Sequence, residues 1–158
     1  MLVASIGAIL GIPGTVFEEF LYGSPIAVFT AVPMIEEAFK PTGLYLLLAF
    51  RPHYLENPGR TAALAAVAGL VFGIVESIVY VLVYFPDKSA GFMVFRFTVT
   101  PAVHATCSYV FGWGINQRLK DSLWGKVPFL SGSKRYFIAA IVLHGLYNLG
   151  ATIFAVLR

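Results

Sequence analysis

The sequence predicts an all-α polytopic transmembrane bundle of about five spans enclosing an intramembrane polar cavity. Three observations predict it. Of 158 residues, 58% are hydrophobic and 12% charged, whereas a soluble domain is about half apolar and about a quarter charged. Apolar runs of roughly 20 residues, the length at which a helix crosses hydrocarbon, follow one another closely. Carboxylates and imidazoles recur inside those runs, where each costs about 2.5–3.5 kcal/mol to insert. The close succession of runs makes a single transmembrane domain of residues 1–158, with its core at 25–157.

The first run, Leu2 to Phe17, is short and interrupted by Gly11, Pro13 and Gly14, and Glu18 and Glu19 close it. No basic stretch precedes it, so it reads as a retained span or half-span rather than a cleaved signal peptide. Pro25 to Phe50 is long enough to span, yet it carries Glu36, Glu37 and Lys40. Thr61 to Phe85 is strongly apolar around Glu76. Phe92 to Gln117 carries Arg96 and His104, and Tyr136 to Leu157 carries His144 and Asn148. No internal repeat is evident. Cys107 is the single cysteine and lies in an apolar run, so no internal disulfide exists and packing is its expected role.

The loops predict orientation. Arg51 and Arg60 flank one, and Arg118, Lys120, Lys126, Lys134 and Arg135 fill another. Two spans separate these loops, so they share a side, and basic loops mark the cytoplasmic face. Loops 51–60 and 118–135 are therefore expected in the cytoplasm. The opposite side holds Glu18, Glu19, Asp87, Lys88 and Arg158. The net charge of +3 is thus a matter of topology and does not imply a nucleic-acid partner. Trp124, Phe129 and Lys126 place the stretch from Leu119 to Leu130 in the membrane interface. Tyr54, Tyr84, Trp113 and Tyr136 fall near span ends, as an aromatic belt requires.

Depth organises the polar residues. At about 1.5 Å per helical residue, Glu36 and Glu37 lie roughly 17 Å from the external span end, Glu76 roughly 14 Å and His104 roughly 18 Å. His144 and Asn148 come out at roughly 20 and 14 Å. Four segments thus bring acid, base and amide groups to one layer, which scattered structural polar residues have no reason to do. Lys40 is four residues from Glu36 and three from Glu37, within reach of either carboxylate on a helix. Adjacent carboxylates repel, which makes one of them a candidate proton acceptor. Pro41 has no N–H for the Glu37 carbonyl, Pro33 repeats the effect earlier in the same segment, and Pro101 is expected to open its helix one turn before His104. Bends and free carbonyls beside the diacid suggest a water-lined cavity. Arg96 and Lys40 are expected as charge partners.

Glu36-Glu37-Ala38-Phe39-Lys40 reads EExxK, and Phe72-Gly73-Ile74-Val75-Glu76 reads FxxxE. Arg96 is followed by Pro101 and His104, and His144-Gly145-Leu146-Tyr147-Asn148 reads HxxxN. In this order on successive spans, the set resembles the PrsW family of intramembrane proteases, relatives of the CAAX-prenyl endopeptidases and abortive-infection-type membrane proteins. The latter usually carry EExxxR and FxxxH, so Lys40 and Glu76 favour the PrsW branch. The resemblance covers about Pro33 to Asn148. Ser77 follows Glu76 where many relatives carry Asn. The resemblance implies hydrolysis of a peptide bond in a membrane-anchored protein or peptide substrate, in the bilayer of a prokaryotic cell.

Such hydrolysis requires an activated water, an oxyanion stabiliser and a proton donor to the leaving amine. In one version Glu76, His104 and His144 hold zinc and leave a fourth position for water, with Glu36 or Glu37 as general base. In the other no metal binds. Glu36 or Glu37 with Glu76 and His104 then activates water, and His144 and Asn148 stabilise the oxyanion. The residues leave both open, and the family's description as metallopeptidases favours the first. The rival class is a proton- or ion-coupled transporter, which also buries Glu, His and Lys at mid-depth. Transporters of that kind are commonly built on internal repeats, which this chain does not show.

Overall fold

Proline, glycine and capping residues divide this apolar chain into eight helices among the residues described, 1–10 and 24–156, in a computed structural model. They are α1 (Leu2–Leu10), α2 (Pro25–Phe29), α3 (Ala31–Phe39), α4 (Thr42–Phe50), α5 (Pro58–Val79), α6 (Ala90–Gly112), α7 (Gln117–Leu123) and α8 (Lys134–Val156). A single 3-10 turn, Pro52–Leu55, joins α4 to α5, and α5 continues into a π-helical turn, Tyr80–Tyr84. The described residues contain no strand. Helix starts are capped locally. Asn57 Oδ1 accepts from the Arg60 amide at 2.9 Å, with Pro58 at the first helical position. Ser89 Oγ accepts from Phe92, and Asn116 Oδ1 from Arg118 and Leu119. Each cap satisfies amides that have no intrahelical partner.

Among the described residues, two helices are long and apolar enough to cross a membrane, Pro58–Tyr84 and Lys134–Ile153. They match the third and fifth expected runs. The fourth run forms α6, 23 residues long, with Arg96, His104 and three threonines set along it. Pro101 does not open this helix, which continues through it. The second expected run is not one helix. Pro25–Phe50 is broken into α2, α3 and α4, because Pro33 and Pro41 cannot donate to the carbonyls of Phe29 and Glu37. The first run is described only as α1, and its residues 11–17, like Glu18 and Glu19, lie outside the described residues.

The bundle is apolar outside and sets its buried polar side chains beside an apolar core. Leu70, Ile74, Ile78 and Leu82 recur every four residues along α5 and are all exposed. Its opposite face is small and buried, with Ala62, Ala65, Ala68, Gly69 and Gly73. In lipid, helices associate by close packing of such small residues. A Cβ at Gly69 would lie 2.3 Å from the His104 carbonyl oxygen, and one at Gly73 2.8 Å from Pro101 Cα. Gly112 meets Ala62 as closely at the far end of the seam. Ser77 Oγ completes it, facing the carbonyls of Gly73 on its own helix and Arg96 on α6. On the other side of α6 lies α8, which also packs against α2 and α3. Helix α1 covers α4 and α5, with Gly43 against the Val3 backbone and Ala4 fully buried. Lys120 Nζ donates to the Ala49 carbonyl at 3.2 Å, so the two basic loops share one end of the bundle. Trp124 and Phe129 are exposed there. Cys107 packs with Phe111 and Ala140, as its apolar surroundings in the sequence suggested.

Candidate active site

The α5–α6 seam is tight because of its glycines, and this closeness brings Glu76 of α5 to His104 of α6. Glu76 Oε2 lies 2.9 Å from His104 Nε2. The other ring nitrogen, His104 Nδ1, lies 3.5 Å from Glu36 Oε2 on α3. Across the site, His144 of α8 presents Nε2 to the same Glu36 oxygen at 3.7 Å. Its Nδ1 is hydrogen-bonded to Glu37 Oε1 at 3.0 Å. The two imidazole rings meet edge to face, with centroids 4.8 Å apart. Four helices, α3, α5, α6 and α8, therefore bring their acidic and imidazole side chains together.

Lys40 sits at the junction of α3 and α4 and closes the cluster from below. Its Nζ lies 2.6 Å from Glu37 Oε1 and 3.1 Å from Glu36 Oε2. It also stands 5.0 Å from the centroid of the Phe72 ring. That ring, buried beside His104 at 5.5 Å, explains why a phenylalanine opens the FxxxE motif. It holds lysine and histidine apart on an apolar, electron-rich face. Glu36, Glu37, Lys40, His104 and His144 are each no more than 3% exposed. The Glu76 side chain, at 17%, is the most accessible carboxylate of the three. Arg96 guards that side. Its Nη2 lies 3.2 Å from Glu76 Oε1, and its guanidinium stacks 3.9 Å from the Tyr80 centroid. Tyr80 follows Glu76 by four residues, one helical turn on the same face, and its amide still donates to the Glu76 carbonyl.

Of the residues singled out in the sequence, Asn148 alone is turned elsewhere. Its Nδ2 donates to the Val28 carbonyl on α2 at 3.1 Å. Ser77, noted in the sequence only as a departure from the family pattern, ties the two seam helices, and Tyr147 pairs its hydroxyl with Thr100 at 2.6 Å. The spacing of Thr100 one turn before His104 and Tyr147 beside Asn148 was the available signal. A groove of about 510 Å³ between α6 and α8, lined by Val99, Val103, Cys107, Leu143 and Tyr147 among others, is apolar. It is not the polar cavity expected, and the carboxylate–histidine cluster is enclosed.

Glu36, His104 and His144 offer ligand atoms that all lie within 4.8 Å of one another. Glu36 Oε2 and both His104 nitrogens are buried, and their contacts are ion-pair approaches rather than hydrogen bonds of good geometry. Carboxylate and imidazole are metal-ligand types. The donor set therefore fits a metal ion. A family model for PrsW family intramembrane metalloproteases matches residues 1–157. The chain belongs to the PrsW family. No curated protein and no solved structure matches it. Membership makes this an intramembrane metalloprotease-family protein with a protein substrate within the membrane, and the apolar exterior of α5 and α8 accords with that setting.

Proposed function

We propose that this PrsW-family chain hydrolyses a peptide bond of a membrane-anchored protein or peptide, using zinc held by Glu36, His104 and His144. The observation that carries the reading is the double backing of the histidines. Each imidazole turns one nitrogen toward Glu36 Oε2 and the other toward a second carboxylate, Glu76 for His104 and Glu37 for His144. Outer carboxylates of this kind fix the tautomer and orientation of metal-binding histidines and raise their basicity. The ligand position that the sequence offered to Glu76 thus passes to Glu36, and Glu76 supports His104 from behind. One carboxylate and two imidazoles leave a coordination position open, the pattern of catalytic rather than structural zinc.

The bound ion would supply Lewis-acid polarisation of the scissile carbonyl and a more acidic water. The chain's residues do the rest. Lys40 sets one positive charge against the carboxylates of Glu36 and Glu37. Glu76 and Glu37 hold His104 and His144 in place from behind. Arg96 keeps Glu76 aimed and ionised. The protein stands in a prokaryotic cell membrane in about five crossings. Helices α2 to α4 form one broken crossing, and loops 51–60 and 118–135 face the cytoplasm.

The test is co-expression with a panel of tagged single-span membrane proteins. Wild type should cleave at least one of them, and Glu36→Gln and His104→Ala should not. A chelator should abolish cleavage and added zinc restore it. Cleavage that survives Glu36→Gln would remove Glu36 from the ligand set. Solute flux in liposomes without cleavage would favour the transporter class instead.

A further inference from the structure

Two residues of the HxxxN segment have no part in the chemistry above, and both meet the break between α2 and α3. Thr30 stands at φ −125° and ψ −65°, outside helical geometry. Pro33 lacks the amide that would serve the Phe29 carbonyl, and its ring obstructs a continuous helix there. The carbonyls before the break must find other partners. Thr30 itself serves two, its amide reaching Ala27 at 3.2 Å and its hydroxyl Ile26 at 2.7 Å. The Val28 carbonyl is taken by Asn148 Nδ2 from α8. The Phe29 carbonyl lies against Gly145, where a Cβ would stand 2.3 Å from the oxygen.

Helix α3 has nine residues and is interrupted at both ends, by Thr30 and by Pro41. No long helix fixes its rotation. One residue of rotation is about 100° on an α-helix, enough to exchange Glu36 for Glu37 before the histidines. We infer that Gly145 and Asn148 form a clamp on the α2–α3 break that sets the rotation of α3, so Asn148 is a positioning residue. The same helix that supplies His144 to Glu36 and Glu37 also holds the backbone from which those carboxylates are hung. Gly145 is required for the backbone approach, and Asn148 for the hydrogen bond that replaces the one lost at the break. The inference rests on the proposed site for its importance, but its test needs neither substrate nor metal.

The test is a distance measurement by pulsed electron paramagnetic resonance. Spin labels replace Met34 on α3 and Leu146 on α8, both exposed, in a Cys107→Ser background. The labelled parent should give a narrow distribution. Asn148→Leu, similar in shape but without a donor, and Gly145→Ala should each broaden and shift it. Pro33→Ala restores an amide for Phe29 and lets the helix close across the break, so Asn148→Leu should have no further effect in that background. An unchanged distribution in Asn148→Leu would overturn the clamp. So would an equal further change with and without Pro33→Ala. If Asn148→Leu alone fails to fold, recovery of folded protein on adding Pro33→Ala supports the clamp, and failure in both backgrounds refutes it. Cleavage, measured alongside on any substrate found, reports on the proposed function separately.

Discussion

Replacing Lys40 with Met removes a cation that touches two buried carboxylates while nearly conserving volume. The distances set the scale. At an effective dielectric of about 20, a unit pair at 3.1 Å is worth about 5 kcal/mol and one at 2.6 Å about 6 kcal/mol. Desolvation of the three charges offsets much of this. Removing one partner of a buried pair nonetheless costs about 3–5 kcal/mol, because the other charge is left uncompensated. Lys40 is fully buried and so is Glu37, so the upper part of that range is expected for Lys40→Met. The purified protein in detergent, followed by circular dichroism through an unfolding titration, should lose a large share of its stability. The double variant Lys40→Met/Glu37→Gln removes charges of both signs and should recover most of the loss. Cleavage should fall in Lys40→Met and its pH profile should shift. A single variant as stable as wild type, or a double variant no better than the single, would refute the charge-balancing role.

Other outcomes follow from the same geometry. Glu76→Gln weakens the support behind His104 and should lower metal affinity by about 10–100-fold. Competition with a chromophoric chelator measures it, and equal affinity would dissociate Glu76 from the metal site. Gly69→Ala forces a Cβ onto the His104 carbonyl. It should cost about 1–3 kcal/mol of stability by overpacking, and an unchanged unfolding midpoint would mean that the seam can yield. Removing free metal held at about 1,000 times its Kd should lower stability by roughly 4 kcal/mol. A midpoint indifferent to chelator and to added zinc would count against a bound ion.

The helical class, the apolar exterior and the identity of most cluster residues were legible in the sequence, because each leaves a local mark. A carboxylate inside an apolar run is costly wherever the chain folds, so Glu36, Glu37, Glu76, His104 and His144 stood out without any knowledge of neighbours. Their common depth followed from the fixed rise of a helix. The break at Pro41 was visible as missing donor chemistry, and so was the one before Pro33. The sequence could not show how far a break interrupts a helix. Pro101 is absorbed into a continuous α6, Pro33 sits in the first turn of α3 after the break at Thr30, and Pro41 stands between α3 and α4.

The linear sequence, then, determined which chemistry is present: a diacid with its lysine, a third carboxylate, two histidines, and helices that must bury them together. Tertiary structure decided the pairing. Whether Glu36 or Glu76 faces both histidines depends on the rotation of short helix α3 about its axis and on how closely Gly69 and Gly73 let α5 approach α6. It also turned Asn148 from the carboxylates to the Val28 carbonyl. Helical periodicity places a residue on a face of its own helix. The azimuth of that face, on which every contact of 3–4 Å depends, is set only when the neighbouring helices pack.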